Sequence, residues 1–596
     1  MTRKKGFSIL FFCFFFFHAF AQDAQLANAY FRNGEYEKAI LLYKPLHEKN
    51  PVRQDYFKSL LVCYQQMDDY EVANEMIRNN MKLFPNQDYL LVELGYNYQL
   101  QDQLEKAREY YEKAIQSIQK NPGFGFIIGQ TFRKNHLLDY ALRSYQIAKE
   151  LNPKLNTEIY EAQIYGEKGE LEKMFHSYLN LIDKNEKYYP TIQRYIGIFI
   201  TEDKNSETNI LFRKLLLKRA QNNPKDSWNI LLSWLYLQQK EYDKALVQEK
   251  SLYKRNPESL ERILEVGKLS FENKDYATSQ KSFDFILQKT TDQNTKLQSQ
   301  TYLLQIANEL AITQNELKEV NRGFQELLNE YGITNSTINL QIAYAHFLSY
   351  SFDQPEKAME VLNNALPLAK SKFKKGKIQI KLADILVFTN QFNQALILYS
   401  QVQTNLKNSV LAQEARFKVA QTSYFKGDFQ WAQTQLKVLK SSTSQLIAND
   451  ALNLSLLIGN NTAKDSIQDA LKTYAKADLL AFQNKNKQAI DTLNTVLQNF
   501  KGHAIEDDAL YKQAELYIKT EKYTLAESNY LAIIQNIPES ILKDDAYFQL
   551  AELYYYQLND FENAKEMYQK IIFEFPSSIY LIDARKKYRK LRGDDI

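Results

Sequence analysis

Small and aromatic residues recur along this chain with a constant step of 34 residues. The small residues that mark the step are Ala39, Ala73, Ala107 and Ala141. An aromatic residue stands nine positions before each of these alanines, and a proline stands twelve positions after three of them. A period of this length is typical of a unit of two antiparallel helices, which buries its apolar face by stacking on its neighbours. The pattern therefore predicts a stack of helix pairs.

Each type of marker has a packing reason. Gly95 in the first helix of one unit and Ala107 in the second are small, so that the two backbones can approach closely. Aromatic side chains such as Tyr98 and Tyr111 fill the space around that contact. Pro85 ends one helix and begins the turn to the next. The 41 tyrosines and 35 phenylalanines of the chain are thereby assigned mainly to the core.

This arrangement of small residues, rings and prolines resembles the tetratricopeptide repeat. The same markers return near the C-terminus at Ala514, Tyr517, Ala526, Tyr530, Pro538, Ala551, Tyr554, Ala564, Tyr568 and Pro576. The resemblance implies an all-α fold, a superhelical solenoid of antiparallel helix hairpins. Three stretches, 188–223, 291–334 and 440–473, lack the markers, and we interpret them as degenerate repeats or spacer hairpins.

Composition agrees with a helical stack. The chain has only 17 glycines and 12 prolines, and no segment alternates apolar and polar residues as a half-buried strand does. One array suits 596 residues, because each unit of a solenoid contacts only its neighbours. We divide the chain into a signal peptide (1–21), an N-terminal repeat array (22–187), a degenerate region (188–344), a central repeat-like array (345–475) and a C-terminal array with a capping helix (476–596).

The N-terminus has the pattern of an export signal. Basic residues at 3–5 precede an apolar run from Phe7 to Phe17, and Ala19-Phe20-Ala21 follows as a small-x-small cleavage pattern. Because the run is shorter than the roughly 20 residues that span a bilayer, cleavage after Ala21 is favoured over a retained anchor. Lipidation of Cys13 is a less favoured alternative, since large residues precede it. We expect an exported protein of a Gram-negative bacterium, in the periplasm or associated with the outer membrane.

Motifs for catalysis, metal binding or cofactor binding are not found in the sequence. After cleavage one cysteine remains, Cys63, and its place in a helix predicts a buried, unreactive thiol. The histidines stand singly, without the spacing of metal ligands. The net charge of +4 is close to balance, which argues against nucleic acid as a partner. We predict a non-enzymatic protein without cofactors. An enzyme hidden in a degenerate hairpin is the least favoured alternative.

The resemblance also places a binding groove on the concave surface. In the tetratricopeptide family this surface is lined by positions two, five, nine, twelve and thirteen of the first helix in each unit. The corresponding residues of the N-terminal array are Asn28, Phe31, Arg32, Lys58, Gln65, Tyr89, Tyr96, Gln99, Phe126, Arg133 and Lys134. Rings flanked by amides and cations suit an extended peptide. The family's carboxylate clamp for chaperone C-termini is not reproduced, because Ala24 and Ser59 stand where its lysine and asparagine belong.

Two further local features have both a functional and a structural interpretation. Asp465-Ser466-Ile467 and Asp491-Thr492-Leu493 resemble acceptors for O-glycosylation at Ser466 and Thr492, although the second also fits an ordinary helical turn. Six lysines between 370 and 381 surround Gly376. We interpret them as a solvated connection between two helices rather than a patch for an anionic partner.

The C-terminal repeats carry the most specific resemblance. The segments Asp544-Asp545-Ala546-Tyr547 and Phe575-Pro576-Ser577-Ser578 resemble a repeat subtype of periplasmic proteins that serve outer-membrane assembly. This resemblance implies a non-catalytic scaffold that binds proteins or peptides in envelope biogenesis or secretion, in association with envelope components. The sequence does not indicate an oligomeric state.

A glycan- or peptidoglycan-binding protein is the alternative function. It would use tyrosine rings as stacking platforms, and the candidates are Tyr96, Tyr511, Tyr555 and Tyr556. A glycan platform predicts aligned, exposed rings on one surface. A protein groove predicts rings mixed with charged groups along several units.

Overall fold

The computed structural model describes residues 23–439, 445–462 and 468–594. Within these residues every regular element is a helix and none is a strand. The helices group into two compact units, divided in the chain between Leu252 and Tyr253. The predicted signal peptide, its cleavage site and Ser466 lie outside the described residues.

The first unit consists of seven helix pairs. Its helices are α1 (23–32), α2 (Tyr36–Lys49), α3 (Gln54–Gln66), α4 (Tyr70–Leu83), α5 (Tyr89–Gln99), α6 (Leu104–Lys120), α7 (Phe124–Lys134), α8 (Leu138–Leu151), α9 (Glu158–Glu167), α10 (Leu171–Lys184), α11 (Tyr189–Gly197), α12 (Glu207–Asn222), α13 (Asp226–Gln238) and α14 (Tyr242–Arg255). A short 3-10 helix, Glu186–Tyr188, precedes α11. The division between the two units falls within α14.

The second unit continues the same succession of helices. They are α15 (Glu261–Glu272), α16 (Tyr276–Lys289), α17 (Gln293–Leu310), α18 (Gln314–Tyr331), α19 (Ile338–Tyr350), α20 (Pro355–Ala365), α21 (Lys372–Phe388), α22 (Phe392–Asn405), α23 (Val410–Lys426), α24 (Phe429–Leu439), α25 (Gln445–Thr462), α26 (Asp469–Phe482), α27 (Asn486–Asn499), α28 (Ile505–Lys519), α29 (Tyr523–Asn536), α30 (Lys543–Leu553), α31 (Phe561–Glu574) and α32 (Leu581–Arg592). A 3-10 helix, Leu366–Leu368, follows α20, and a π-helix, Tyr554–Leu558, extends α30. The divisions predicted at 344/345 and 475/476 fall inside α19 and α26.

The helices of a pair pack closely where the sequence places its small residues. A Cβ atom on Gly95 of α5 would lie 2.6 Å from the Tyr111 ring and 3.0 Å from the backbone oxygen of Ala107, both on α6. A Cβ atom on Gly129 of α7 would lie 2.5 Å from the Tyr145 ring of α8. Because side chains cannot approach so closely, glycine is needed at this helix spacing. The predicted contact between Gly95 and Ala107 is confirmed.

The turn inside most pairs contains one residue in the left-handed region of the backbone. This residue is Gly34 (φ 77°) between α1 and α2, but His136 (φ 56°) between α7 and α8 and Glu521 (φ 59°) between α28 and α29. The left-handed conformation costs a residue with a Cβ atom roughly 1–2 kcal/mol. The packing of the two helices therefore outweighs the preference of the turn residue.

Aromatic side chains fill the interior of both units, as the sequence predicts. The largest fully buried side chains are Trp228, Tyr145, Tyr178, Tyr399, Tyr424, Tyr530, Tyr568, Phe57, Phe132, Phe175, Phe212 and Phe283. Cys63 is also fully buried, in α3, and burial raises the pKa of its thiol to about 11. The predicted burial of Cys63 is confirmed, and its low reactivity stays a prediction that the raised pKa supports, since the thiolate is the reactive form.

Two of the three stretches without repeat markers are helix pairs. The pair α11 and α12 occupies 188–223, and α17 and α18 occupy 291–334. The prediction for 440–473 is wrong in the described part of that stretch, where α25 is a single helix followed by the start of α26. There α25 packs against α23 and α24. The helix that packs beside α23 as the first helix of the next pair is α26.

The interpretation of the lysine cluster as a connection between helices is also wrong. Five of its six lysines lie within α21, whose N-terminus is capped by Ser371 Oγ, which accepts from the backbone N–H of Lys374 (3.1 Å). Lys374 Nζ donates to the backbone oxygen of Asn335 (2.7 Å), while Lys372, Lys375 and Lys377 are exposed.

Among the described helices, none is both long and apolar enough to cross a bilayer.

Candidate protein-binding faces

The predicted groove residues of the first unit lie on the first helices of successive pairs, α1, α3, α5 and α7. Nine of the eleven have exposed or half-buried side chains, namely Asn28, Phe31, Arg32, Lys58, Tyr96, Gln99, Phe126, Arg133 and Lys134. The Lys58 ammonium lies 5.4 Å from the centre of the Tyr89 ring on α5. Rings, amides and cations therefore share this face. The role of these residues in binding stays a prediction.

Gln65 and Tyr89 are corrections to that prediction. Gln65 is only 6% exposed and donates to Asn97 Oδ1 (3.3 Å), and Asn97 Nδ2 donates to Asn74 Oδ1 (3.0 Å). Tyr89 is 4% exposed, and its hydroxyl donates to Gln54 Oε1 (3.0 Å). Both side chains link neighbouring helices instead of lining an open groove, because buried polar groups require hydrogen-bond partners.

The two predicted cations at the end of α7 are already paired. Arg133 Nε donates to Glu167 Oε1 (2.7 Å) and Nη1 donates to Gln163 Oε1, both on α9. Lys134 Nζ lies 3.8 Å from Glu93 Oε1 on α5, whose side chain is 3% exposed. These cations connect α7 to the first helices on either side. A partner carboxylate would have to compete with the existing pairs.

The second unit has a regular series of such connections. Six of its first helices carry a fully buried alanine in their second half: Ala345, Ala383, Ala420, Ala477, Ala514 and Ala551. We name the residue after this alanine the acceptor position and the residue two before it the lysine position.

These two positions on the six helices define the inner face of the second unit. The acceptor positions of α19, α21, α23, α26, α28 and α30 are His346, Asp384, Gln421, Asp478, Glu515 and Glu552. The lysine positions of the same helices are Ala343, Lys381, Lys418, Ala475, Lys512 and Gln549.

At four steps the acceptor side chain of one first helix meets a lysine of the next. The four interhelical pairs are His346–Lys381 (3.4 Å), Asp384–Lys418 (3.4 Å), Asp478–Lys512 (3.1 Å) and Glu552–Lys587 (2.5 Å). The last lysine belongs to α32, which packs on α31 as the first helix of a further pair would. The lysine follows its acceptor by 34 or 35 residues in every case, so the repeat period itself creates these pairs.

The pairs at α21 form one buried network. Asp384 is 8% exposed and accepts a hydrogen bond from the Tyr399 hydroxyl (2.5 Å). Lys381 Nζ lies 3.8 Å from Asp384 Oδ2, so one carboxylate faces two lysines, Lys381 and Lys418. Burial lowers the pKa of Lys381, and burial together with that lysine lowers the pKa of His346 to about 4. His346 is therefore neutral at pH 7.

The pair at α32 is surrounded by rings. Lys587 Nζ lies 5.3 Å from the centre of the Phe548 ring, 5.2 Å from Tyr556 and 5.8 Å from Tyr568. The Tyr568 hydroxyl also donates to Glu552 Oε1 (2.5 Å). A carboxylate with several ring faces is a favourable site for a cation. In this structure the chain's own last helix supplies that cation.

Sequence reasoning missed the inner face of the second unit. The groove positions were assigned only where the repeat markers are strongest, in the first 134 residues. A usable signal was present, since an acidic residue and a lysine recur at 384 and 418, at 478 and 512, and at 552 and 587. Charged residues at the repeat period indicate contacts between neighbouring units, because equivalent positions of adjacent repeats face each other.

A cavity of about 690 Å³ lies beside α25, α26 and the N-terminus of α28. Its polar lining includes Asp507, which accepts from Ser540 Oγ (2.6 Å), and Asp508, which accepts from Asn461 Nδ2 (3.0 Å). Burial, and then the Asp507 carboxylate, raise the pKa of Asp508 to about 7. These hydrogen bonds join α28 to α25 and to the turn that contains Ser540. They account for the two carboxylates as structural groups.

The candidate stacking rings do not form one aligned surface. Tyr511 is half-buried and meets the Tyr530 ring edge-on at 5.6 Å. Tyr555 and Tyr556 are inclined by 70° to each other, and the Tyr555 hydroxyl accepts from Lys590 Nζ (2.9 Å). Among these rings Tyr556 is the one with an exposed side chain, and Lys587 lies against it. The rings are mixed with charged groups along several helices.

Thr492 is the candidate glycosylation site that lies within the described residues. Thr492 lies in α27, where its hydroxyl donates to the backbone oxygen of Gln488 (2.8 Å), so it fits the helical-turn interpretation. Its glycosylation stays a prediction. In the described residues no group of three or more histidine, cysteine or acidic side chains is arranged to hold a metal ion.

Comparison with known protein families finds tetratricopeptide repeats at three places. Family models described as tetratricopeptide repeat match residues 89–121, 474–541 and 545–578. A TPR repeat-containing protein of Methanocaldococcus jannaschii is 28% identical over 166 residues, which is 27% of this chain and 29% of that protein. The chain therefore matches less than a third of the length of this relative. Together with the helix pairs described above, the matches show an all-α tetratricopeptide-type solenoid.

Solved structures give only remote similarities. A chain in the structure of Naa15/Naa10 bound to HypK-THB is aligned over 96% of both chains with a TM-score of 0.31 and 12% identity. Yeast Tom70 is aligned over 96% of this chain and 99% of its own, with a TM-score of 0.29 and 16% identity. At this level of similarity the binding properties of those proteins are not transferred to this chain.

Proposed function

We propose that this chain is a non-catalytic scaffold of the cell envelope, which binds proteins or peptides along the first helices of its repeats. The observation that carries the proposal is the mixing of charged groups and rings along consecutive first helices in both units. In the second unit, three of the four interhelical pairs contact aromatic side chains: Lys381 Nζ lies 5.7 Å from the centre of the Tyr350 ring, Asp384 accepts from the Tyr399 hydroxyl, and Lys587 Nζ lies 5.3 Å from the centre of the Phe548 ring. A folded or extended polypeptide presents both charges and apolar side chains, and such a surface complements it.

The envelope location is the finer part of the proposal. It rests on the export pattern before Gln22 and on the resemblance of the last repeats to periplasmic proteins. The N-terminal sequence of the protein purified from native envelopes tests it. A mature chain that begins at Gln22 supports the periplasmic location, whereas an acylated Cys13 or an uncleaved N-terminus contradicts it.

The partner is tested by crosslinking in intact envelopes. A chain with a C-terminal tag is crosslinked in place, purified under denaturing conditions, and its partners are identified by mass spectrometry. We expect the same few envelope proteins in each replicate, and their loss when inner-face positions are changed. Purified peptidoglycan serves as the competing ligand. If the chain sediments with peptidoglycan and recovers no protein, the glycan-binding alternative replaces the scaffold proposal.

A further inference from the structure

We propose that Glu515, the acceptor position of α28, receives the arginine or lysine side chain of an extended partner peptide. This inference rests on the proposed protein-binding function and adds the chemistry of one partner residue. Glu515 on α28 and Gln549 on α30 form the one step of the inner face at which the acceptor is a carboxylate and the facing residue is not a lysine.

The series of interhelical pairs shows what is unusual about this step. Where Ala475 replaces the lysine, the preceding acceptor is Gln421, which carries no charge. Where Gln549 replaces the lysine on α30, the preceding acceptor is Glu515, which does. Between Gln421 and Ala475 both charges of the pair are absent. Between Glu515 and Gln549 the carboxylate is present, but the lysine that pairs with it at the other acidic steps is absent.

The surroundings of Glu515 reflect this difference. Its side chain is 49% exposed, whereas those of Asp384, Asp478 and Glu552 are 11%, 26% and 23% exposed. The cation near it is Lys512 of its own helix, at 3.6 Å. That lysine is closer to Asp478, at 3.1 Å, and is shared between the two carboxylates. Glu515 is thus both more accessible and less fully neutralised than the other acceptors.

The polar groups near Glu515 on α28, α29 and α30 favour a cation here. Burial raises the pKa of the Asp545 carboxyl on α30, although the hydrogen bond from the Tyr580 hydroxyl acts in the opposite direction. Burial raises the pKa of Tyr530 as well, and the Glu515 carboxylate adds to this shift, which places that carboxylate near the Tyr530 hydroxyl. Burial, and then the Tyr530 hydroxyl and the Glu515 and Asp545 carboxylates, raise the pKa of Tyr511, so two acidic side chains act on this ring of α28. A guanidinium or ammonium group relieves this excess of negative charge.

The chain itself contains a model for the proposed complex. One step further along, Lys587 of α32 lies against Glu552 and among three aromatic rings. At Glu515 the corresponding rings are Tyr511 and Tyr530, which meet edge-on at 5.6 Å. A partner's basic side chain would make in trans the contact that Lys587 makes within the chain. Cation–π contact and a charge-assisted hydrogen bond both favour this chemistry.

The experiment uses the full chain and two pools of labelled peptides. One pool is a degenerate nine-residue library with a fixed central arginine. The other has citrulline at that position, which keeps the shape of the side chain and removes its charge. Retention of each pool on the immobilised chain is measured by fluorescence. We expect the native chain to retain the arginine pool about tenfold better than the citrulline pool, the effect of one charge-assisted hydrogen bond.

Three variants identify the residue responsible. Glu515→Gln removes the charge, and Gln549→Lys supplies the missing lysine within the chain, so both should bring the preference for arginine close to unity. Glu562→Gln is the matched control, since Glu562 is an exposed acidic residue on α31, a second helix of a pair. It should keep the preference. Circular dichroism melting of every variant verifies that the fold is retained. Gln549→Lys is expected to melt no lower than the native chain, because it completes a pair.

The outcomes separate this inference from the proposed function. If both pools are retained equally, or if Glu515→Gln and Gln549→Lys leave the arginine preference unchanged, the role of Glu515 is refuted and peptide binding stands. If neither pool is retained and crosslinking in envelopes recovers no protein, the proposed function fails and this inference fails with it.

Discussion

The region around α3 to α5 in the first unit and the region around α19 to α23 in the second link adjacent helices with different polar groups. In the first unit the link between α3, α4 and α5 is made by amides, where Gln65 donates to Asn97 and Asn97 donates to Asn74. In the second unit equivalent links are made by carboxylates and lysines, as between Asp384 and Lys418. Both kinds of link lie between adjacent first helices, and both leave the small and aromatic residues of the repeat in place.

This difference shows which positions determine the fold and which are available for recognition. The contact of Gly95 with Tyr111 and the burial of Ala383 belong to the repeat in either unit. The polar positions beside them can vary, provided that each buried group finds a partner. Amide links keep their hydrogen bonds at any pH, whereas a charged pair depends on the ionisation of both partners. The region around α19 to α23 is therefore expected to be more sensitive than the region around α3 to α5 to loss of a partner and to acid.

The largest predicted effect is the loss of a carboxylate from the second unit. Asp384→Ala leaves Lys381 and Lys418 without their shared counter-ion and the Tyr399 hydroxyl without its acceptor. Removing one partner of a buried charge network typically costs about 3–5 kcal/mol. Urea unfolding should give this loss of free energy. Hydrogen exchange followed by mass spectrometry should locate the loss of protection in α19 to α23.

An exposed pair of the same type provides the control for this prediction. Asp469 and Lys472 of α26 are paired at 3.5 Å with side chains that are 60% and 50% exposed. Asp469→Ala should change the free energy of unfolding by less than about 1 kcal/mol. Equal losses for the two variants would show that burial does not distinguish the inner-face network from a surface pair.

The next effect tests packing in the first unit. Ala107→Leu inserts three heavy atoms where α6 approaches Gly95, whose Cβ position is already 3.0 Å from the Ala107 backbone oxygen. Overpacking of this kind costs about 1–3 kcal/mol. Because each repeat contacts its neighbours, hydrogen exchange should show lost protection in α3 to α8 and unchanged protection in the second unit. Ala29→Leu, at an exposed position of α1, is the control and should leave both units unchanged.

The part of the fold that could be predicted from sequence is the part that small residues determine. Gly95, Gly129 and Ala107 were identified from their spacing, because small residues at a fixed period indicate the close approach of two helices. The single helix α25 was not predicted, because a stretch without markers does not tell one helix from two. The lysines around Gly376 were assigned to a connection because a run of like charges is typical of a solvated segment, and the structure places five of them in α21.

The candidate faces could be predicted less completely, for a physical reason. Family positions indicate which side of a helix faces the groove. They do not indicate whether a polar side chain there already has a hydrogen-bond or ion-pair partner within the chain. Gln65 and Tyr89 turned out to be buried and hydrogen bonded, and Arg133 to be paired with Glu167. Those partners come from other repeats. They become visible only when acidic, basic and amide residues are compared at the repeat period.

A smaller effect concerns the response of the two units to acid. Burial, with Lys381 adding to it, lowers the pKa of His346 to about 4 from its ordinary value near 6.5. The unfolded chain therefore binds a proton in a pH range where the folded chain does not, so that stability is lost as the pH falls from about 6.5 to about 4. After allowance for partial exposure, the loss at pH 5 is roughly 1–2 kcal/mol.

The variant His346→Gln isolates this contribution. Its free energy of unfolding, subtracted from that of the native chain at each pH between 4 and 8, should give a curve that falls toward acid pH. Asp384 and Lys381, which also face His346, are present in both proteins and cancel in the difference. A flat difference curve would show that the imidazole titrates alike in the folded and unfolded chain.

The smallest effect on stability is expected at the predicted groove of the first unit. Tyr96 is half-buried on α5, and the Arg133 and Glu167 side chains are 30% and 38% exposed. An ion pair with this exposure contributes about 0–1 kcal/mol, so Tyr96→Ala combined with Arg133→Gln should shift the melting transition only slightly. Capture of crosslinked partners from envelopes should nevertheless fall, since both side chains lie where a peptide would bind.

The matched control is Arg143→Gln on α8, whose pair with Glu112 has side chains that are 49% and 38% exposed. It changes a similar ion pair on a second helix and should leave capture intact. If the double variant unfolds the first unit, or if the control lowers capture as much, the assignment of the first helices as the binding face is wrong.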